Sequence, residues 1–129
     1  MSFKLSSQER DAAISSFCDS IRINTVSGIG PDGGYQAFVD FLKEELPCKC
    51  WVLPESLEGK PILVSTIEGE APEKAQILLN AHYDVVPVMQ EDWTVPAFDA
   101  VRKEGRIYGR GTQDMKCALM GYVCAVKKL

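Results

Sequence analysis

The sequence predicts an α/β fold, and three observations predict it. Two amphipathic helical patterns open the chain, an unbroken apolar run, "AQILLNAH", follows, and a nearly all-apolar helical stretch, "DMKCALMGYVCAVKKL", closes it. An apolar run of strand length without polar alternation is the pattern of a strand buried on both faces. Helices flanking such strands give a sheet covered on both sides. At 129 residues the chain has the length of one small domain with its own core.

Each element has a local reason. In "LSSQERDAAISSFCDSIRI", Ser6 followed by Glu9 is a capping box, and Ile14, Phe17, Cys18 and Ile21 mark one helical face. "NTVSGIGPDGG" breaks that helix with its glycines and Pro31. "YQAFVDFLKEEL" is a second helix with Phe38, Phe41, Leu42 and Leu46 as its stripe, stopped by Pro47. "CKCWVLPE" and "PILVSTIEG" are expected to be two strands joined by a polar turn, and "QILLNA" a buried strand. "FDAVRKEGRIYGRG" predicts a short hairpin turning at Glu104–Gly105. The last helix is apolar nearly all round and needs cover on several sides. Its Lys127 and Lys128 stand at the negative end of the helix dipole.

Composition excludes several classes. The net charge of −4 with scattered Lys and Arg argues against a nucleic-acid binder. No run approaches a membrane span, and "MSFKLSSQERD" turns charged too early for a signal peptide. A soluble, cytoplasmic protein is the expectation. Five cysteines at irregular spacing do not form a disulfide framework, and "PCKCW" is not the C-x-x-C of zinc ribbons. They read as small apolar residues.

Chemistry concentrates at His82, the only histidine in the chain. It follows the apolar run directly, and Asp84 lies two residues on. Ligands in open α/β sheets bind at the carboxyl ends of strands, which is where this pair is expected. A lone histidine there serves equally well as a packing residue. As a metal ligand, its ring would be oriented by Asp84 through one nitrogen, leaving the other for the metal. Asp114, in the glycine-rich turn "GRGTQD", adds a hard oxygen donor. Imidazole with carboxylates suits zinc. H-x-D alone is a weak signal, and both readings stay open on the residues alone.

Taken together, "LLNAHYDVVPV", "DWTVPAFDAV" and "GRIYGRGTQDMKCALMGYVCAVKKL" resemble, in order and spacing, the N-terminal part of the zinc-dependent aminoacylase and carboxypeptidase family. The tetrad from Gln113 to Lys116 is most similar to the aminoacylase branch. "IRINTVS" and "GGYQAFVDFLKEEL" fit the same family, so the resemblance spans nearly the whole chain.

The resemblance implies a three-layer sandwich, a mixed sheet flanked by helices, with residues 1–129 as the N-terminal part of a metallopeptidase-like catalytic domain. It implies two zinc ions per complete site, with His82 binding one and Asp114 bridging both. Asp84 then has a catalytic-site role, orienting His82 from behind. It further implies a cis peptide after Asp114. The implied substrate is a small N-acyl amino acid, and the implied complete enzyme a homodimer. The family's general-base glutamate, remaining ligands and second histidine are not found here: no Glu follows Glu104, and the single His is already used. The family's dimerisation domain is absent as well. Exposed faces of the last helix and an unpaired strand edge would make the isolated chain self-associate.

Other residues have plainer readings. Lys116 is a candidate substrate contact or a packing residue. Trp93 and Phe98 anchor a loop or line a pocket. "GIGPDGG" lacks the Lys-Ser/Thr of a phosphate loop, and no G-x-S-x-G is present. Two functions follow. One is the N-terminal portion of a zinc amidohydrolase acting on N-acyl amino acids. The other is a non-catalytic α/β piece that binds metal weakly or only packs against a partner.

Overall fold

The structure is a computed structural model that describes residues 4–28, 34–54, 56–71 and 73–129. Among the described residues, three helices and two antiparallel hairpins make an α/β fold. In chain order they are α1 (Ser7–Arg22), α2 (Tyr35–Glu45), β1 (Lys49–Val52), β2 (Leu63–Thr66), β3 (Val101–Lys103), β4 (Arg106–Tyr108) and α3 (Lys116–Val126), with one 3₁₀ turn at Gln90–Asp92.

Helix α1 starts where the capping box puts it. The Glu9 N–H donates to Ser6 Oγ at 3.2 Å, and the Ser6 N–H donates to the Glu9 carboxylate at 2.7 Å. Both orphan donors are thus satisfied by short-range partners. The predicted stripe turns inward: Cys18 and Ile21 are buried with Ala100, and Ile14, Phe17 and Ile107 pack around them. The opposite cluster joins Phe38 and Leu42 of α2 to Leu119, Met120 and Val123 of α3. Fully burying a side chain of this size contributes roughly 1.5–3 kcal/mol. Helix α1 therefore lies between the α2–α3 core and the second hairpin.

β1 pairs with β2, Lys49 opposite Thr66 through Val52 opposite Leu63, and β3 pairs with β4, Val101 opposite Tyr108. The second hairpin turns where predicted. Glu104 and Gly105 have φ of 53° and 75°, the two left-handed conformations that a tight two-residue hairpin turn demands.

Two expectations need correction. The run "QILLNA" forms no strand: residues 75–84 carry no ladder pairing, and Ile77 and Leu78 are 87% and 88% exposed. A strand buried on both faces needs neighbours at both edges and cover on both faces. Among the described residues the two hairpins are separate two-stranded sheets, and neither reaches this run. The expected α/β class stands all the same, with helices and two small antiparallel sheets. The apolar helix α3, by contrast, is better covered than its composition suggests. Leu119, Met120 and Val123 are buried, and only Cys117 and Gly121 of the helix are exposed. Its end is tied down by charge as well, since Lys127 pairs with Glu45 of α2 and Lys128 with Glu9 of α1.

The loop "GIGPDGG" lies largely outside the described residues. All five cysteines are free thiols. Among the described residues no helix is long and apolar enough to cross a membrane.

Candidate functional site

Beyond the exposed run the chain changes character. Tyr83 stacks on Phe38 with ring centroids 5.2 Å apart, meets Tyr35 edge-on at 5.7 Å, and donates its hydroxyl to the Pro61 carbonyl at 2.5 Å. Burial, with Tyr35 and Asp84 nearby, pushes the Tyr83 hydroxyl up to about 12, so it stays a donor. Thr25 Oγ1 donates to the Tyr83 carbonyl at 2.6 Å. Val85 N–H then donates to Thr25 O at 3.0 Å, and Ser27 N–H to Val85 O at 2.8 Å, closing a short parallel bridge between Val26 and Val85. His82 and Asp84 alternate with these anchored residues. Their side chains are therefore held at the surface on a fixed backbone, 48% and 49% exposed.

Asp114 arrives from the other direction, at the end of the loop that joins β4 to α3. Gly111 makes that loop possible. Its φ is 89°, and a Cβ there would lie 2.9 Å from Val85 Cγ1 and 3.3 Å from Lys116 Cδ. Only glycine allows both this conformation and this approach. The Asp114–Met115 peptide is cis, as the resemblance implies.

These two segments bring the predicted residues together. His82 Nε2 lies 3.1 Å from Asp114 Oδ1, and His82 Nδ1 lies 3.1 Å from both the carbonyl and Oδ1 of Asp84. Asp84 is braced in turn: its Oδ2 accepts from Ser27 Oγ at 2.6 Å. Both ring nitrogens thus face oxygen acceptors. A neutral imidazole has only one N–H, so only the protonated ring can donate to both. Burial would lower the His82 pKa, but the Asp84 carbonyl and the Asp114 and Asp84 carboxylates outweigh it and hold it above its ordinary value.

This arrangement tests the fit of a metal. With the proton on Nδ1 committed to Asp84, a cation between Nε2 and Asp114 would replace the second proton. The donors, one imidazole nitrogen and one carboxylate, are of the kind zinc takes. Their number is small: among the described residues no group of three or more His, Cys, Asp or Glu side chains could hold a metal ion. Asp114 is 88% exposed, so its remaining donor capacity faces solvent. The surface hollows beside β1 and between α1 and α3 contain neither His82 nor Asp114. The pair is an open half-site.

Sequence reasoning did not pick out Ser27, because its partner Asp84 is 57 residues away. Lys116 is no substrate contact in this structure. It is fully buried, with Nζ donating to Ser20 O and Ile23 O at 2.8 Å each and lying 4.6 Å from the Phe38 ring centroid. Burial pushes its pKa down to about 7. Trp93 and Phe98 are half-buried, and the Arg110 guanidinium lies 5.2 Å over the Trp93 ring, a loop anchor.

Three comparisons with known proteins give one consistent likeness. Residues 78–129, which include His82, Asp84 and Asp114, match the model of peptidase family M20/M25/M40. Aminoacylase-1 of Sus scrofa is 40% identical over 121 residues, 91% of this chain and 29% of that protein. The N-fatty-acyl-amino acid synthase/hydrolase PM20D1 of Homo sapiens is 45% identical over 64 residues, 50% of this chain and 13% of that protein. An M20 family metallo-carboxypeptidase from Sulfolobus solfataricus superimposes with a TM-score of 0.68 at 28% identity, covering 91% of this chain and 26% of that one. The chain therefore spans less than a third of the length of each of these proteins. Family model, relatives and solved structure agree in likening the chain to peptidase family M20/M25/M40, whose model matches residues 78–129.

Proposed function

We propose that residues 1–129 supply the His82–Asp114 half of a zinc-dependent active site that hydrolyses N-acyl-L-amino acids to a carboxylate and a free amino acid. The observation that carries this reading is the imidazole held between two carboxylates, Asp84 behind it and Asp114 in front. The substrate class is supported by the names of the relatives, aminoacylase and N-fatty-acyl-amino acid hydrolase.

The roles follow from what each group can do. Asp84 keeps the proton on Nδ1 and fixes the ring plane, with Ser27 holding Asp84. His82 then presents an unprotonated Nε2 to a cation. Asp114, nearly fully exposed, is the carboxylate that two zinc ions would share. When bound, zinc supplies Lewis-acid polarisation of an amide carbonyl and activation of a water molecule. The remaining ligands and a general base for that water belong, on this reading, to the part of the relatives' length that this chain does not span. The reading carries with it a homodimeric, cytoplasmic complete enzyme.

A second reading is favoured by one observation, the absence of a third potential ligand among the described residues. On it the chain is a non-catalytic α/β piece that binds metal weakly or only packs against a partner. Zinc titration by calorimetry separates the proposed site from a piece that only packs against a partner. The proposed site gives weak binding that both His82→Ala and Asp114→Ala abolish. Binding unchanged in both variants sinks it. A catalytic zinc usually has about three protein ligands, and a missing general base alone forfeits about 10²–10⁴-fold in rate. The chain by itself is therefore expected to release no methionine from N-acetyl-methionine with zinc present. Turnover above the His82→Ala control would show that the half-site is complete after all.

A further inference from the structure

Two segments distant in sequence meet at the end of α1 and the turn that follows it, residues 20–27. The loop carrying Asp114 reaches it through Lys116, whose Nζ donates to Ser20 O and Ile23 O, 96 and 93 residues away. The segment carrying His82 reaches it through Thr25, whose hydroxyl donates to Tyr83 O and whose carbonyl accepts from Val85 N–H. Both bolts are buried, with Thr25 and Lys116 at 0% exposure. We infer that Lys116 and Thr25 are positioning residues for the His82–Asp114 pair, fixing the two loops to one shared anchor.

The chemistry suits that role. The Ser20 and Ile23 carbonyls lie at the C-terminal end of α1, where helix carbonyls lack intrahelical partners. Lys116 supplies the missing donors. Two N–H groups are enough for two carbonyls, so the lock holds whether or not the amine carries its third proton. The Lys116 stem also lies against Gly111, and the Lys116 N–H donates to Gly111 O at 3.1 Å, so the same residue sets the loop's shape from both ends. On the facing side Gly111 meets Val85, the residue that Thr25 holds. The two bolts therefore act on one contact. Among the described residues Lys116 supplies the side-chain hydrogen bonds from the Asp114 side to the turn, and Thr25 adds a hydroxyl tie to the backbone bridge and the Ser27–Asp84 bond that also hold the His82 segment.

The purpose of this positioning rests on the metal-site reading, but its test needs no metal. His82 is the only histidine, so its ring resonances in the folded, metal-free protein report on one site. Asp114→Asn is expected to shift those resonances in the wild-type background, because Asp114 is in contact with Nε2. In Lys116→Met, which keeps the apolar stem and removes the donors, that response is expected to disappear while the fold persists. Thr25→Val, which removes the hydroxyl tie and leaves the backbone bridge at Val85, is expected to reduce it, and it carries the test where Lys116→Met does not fold. Leu119→Ala, a core truncation without polar ties, is expected to retain the response. A wild-type-sized response in both donor-deleted variants overturns the inference. So does an equal loss in Leu119→Ala, or no response in the wild type. Failure of zinc to move the His82 resonances would count against the metal reading alone and leave the coupling result standing.

Discussion

Residues 77–79 and residues 82–85 are neighbours in one short stretch, and the fold treats them in opposite ways. Ile77, Leu78 and Leu79 are the more apolar, yet they are 87%, 88% and 49% exposed and lie in no ladder. The stretch from His82 to Val85 is the more polar, yet it is held by the Tyr83 ring on Phe38, by Thr25 and by the bridge to Val26. Apolar character does not place a segment; available partners do. Helix α2 offers Tyr83 an aromatic surface and the turn after α1 offers Val85 two backbone bonds, while no described residue offers "ILL" a strand edge. The candidate site is consequently ordered by α1 and the loop before α3 rather than by the strand expected to lead into it.

The largest expected effect tests that division of labour directly. Phe38 is fully buried, carries Tyr83 on its face and joins α2 to α3. Phe38→Ala should cost about 3–5 kcal/mol, the usual range for a buried aromatic truncation. Leu78→Ala, though it removes an equally apolar group, should stay within about 0.5 kcal/mol, as for an exposed position. Urea unfolding of the two variants at low protein concentration measures both. A Leu78→Ala loss comparable to that of Phe38→Ala would show that the run is packed in solution.

The next effect is on association rather than stability. An exposed apolar run with unpaired backbone is a template for pairing with another chain. The isolated chain should therefore self-associate, and through 77–79 rather than through α3. Leu78→Asp should restore monomer in sedimentation velocity, whereas Cys117→Ser, at an exposed position of α3, should not. A monodisperse wild-type monomer over a wide concentration range removes the premise.

What could be read from the sequence follows the same line. The capping box of α1, the stripe of α2 and the turn at Glu104–Gly105 depend on residues a few positions apart, and all three stand in the structure. The pairing of His82 with Asp114 crosses 32 residues and was legible only through a motif resemblance. The ties that hold the pair were not legible. Nothing local marks Lys116 as buried, because its acceptors are carbonyls at the end of a helix more than ninety residues away. Ser27 is likewise one serine among several until Asp84 is folded against it. The run from Gln76 to Ala81 misled for the converse reason. Its pattern states what environment it needs, and strand partners are a non-local property that no pattern within the run can supply.

The smallest expected effect concerns protons at the anchored end. His82 has a folded pKa raised above 6.5, since the Asp84 carbonyl and the two carboxylates outweigh the effect of burial. A group raised in this way stabilises the fold fully below its unfolded pKa, and that stabilisation is lost as pH rises through the folded value. Lys116 acts with the opposite sign. Burial lowers it from 10.5 to about 7, so between those values the unfolded chain holds more protons and stability rises with pH. The two windows adjoin near neutrality, and total stability against pH would blur them. The difference between wild type and His82→Gln, measured metal-free from pH 5 to 9, isolates the histidine. That difference should be largest at the acidic end and shrink as pH rises past the raised pKa. The ring titration followed by proton NMR should have its midpoint above 6.5, falling toward 6.5 in Asp84→Asn and in Asp114→Asn. A wild-type midpoint at or below 6.5 would mean that the imidazole is not held between the two carboxylates, and the contrast between an anchored site and an unanchored run would lose its sharper half.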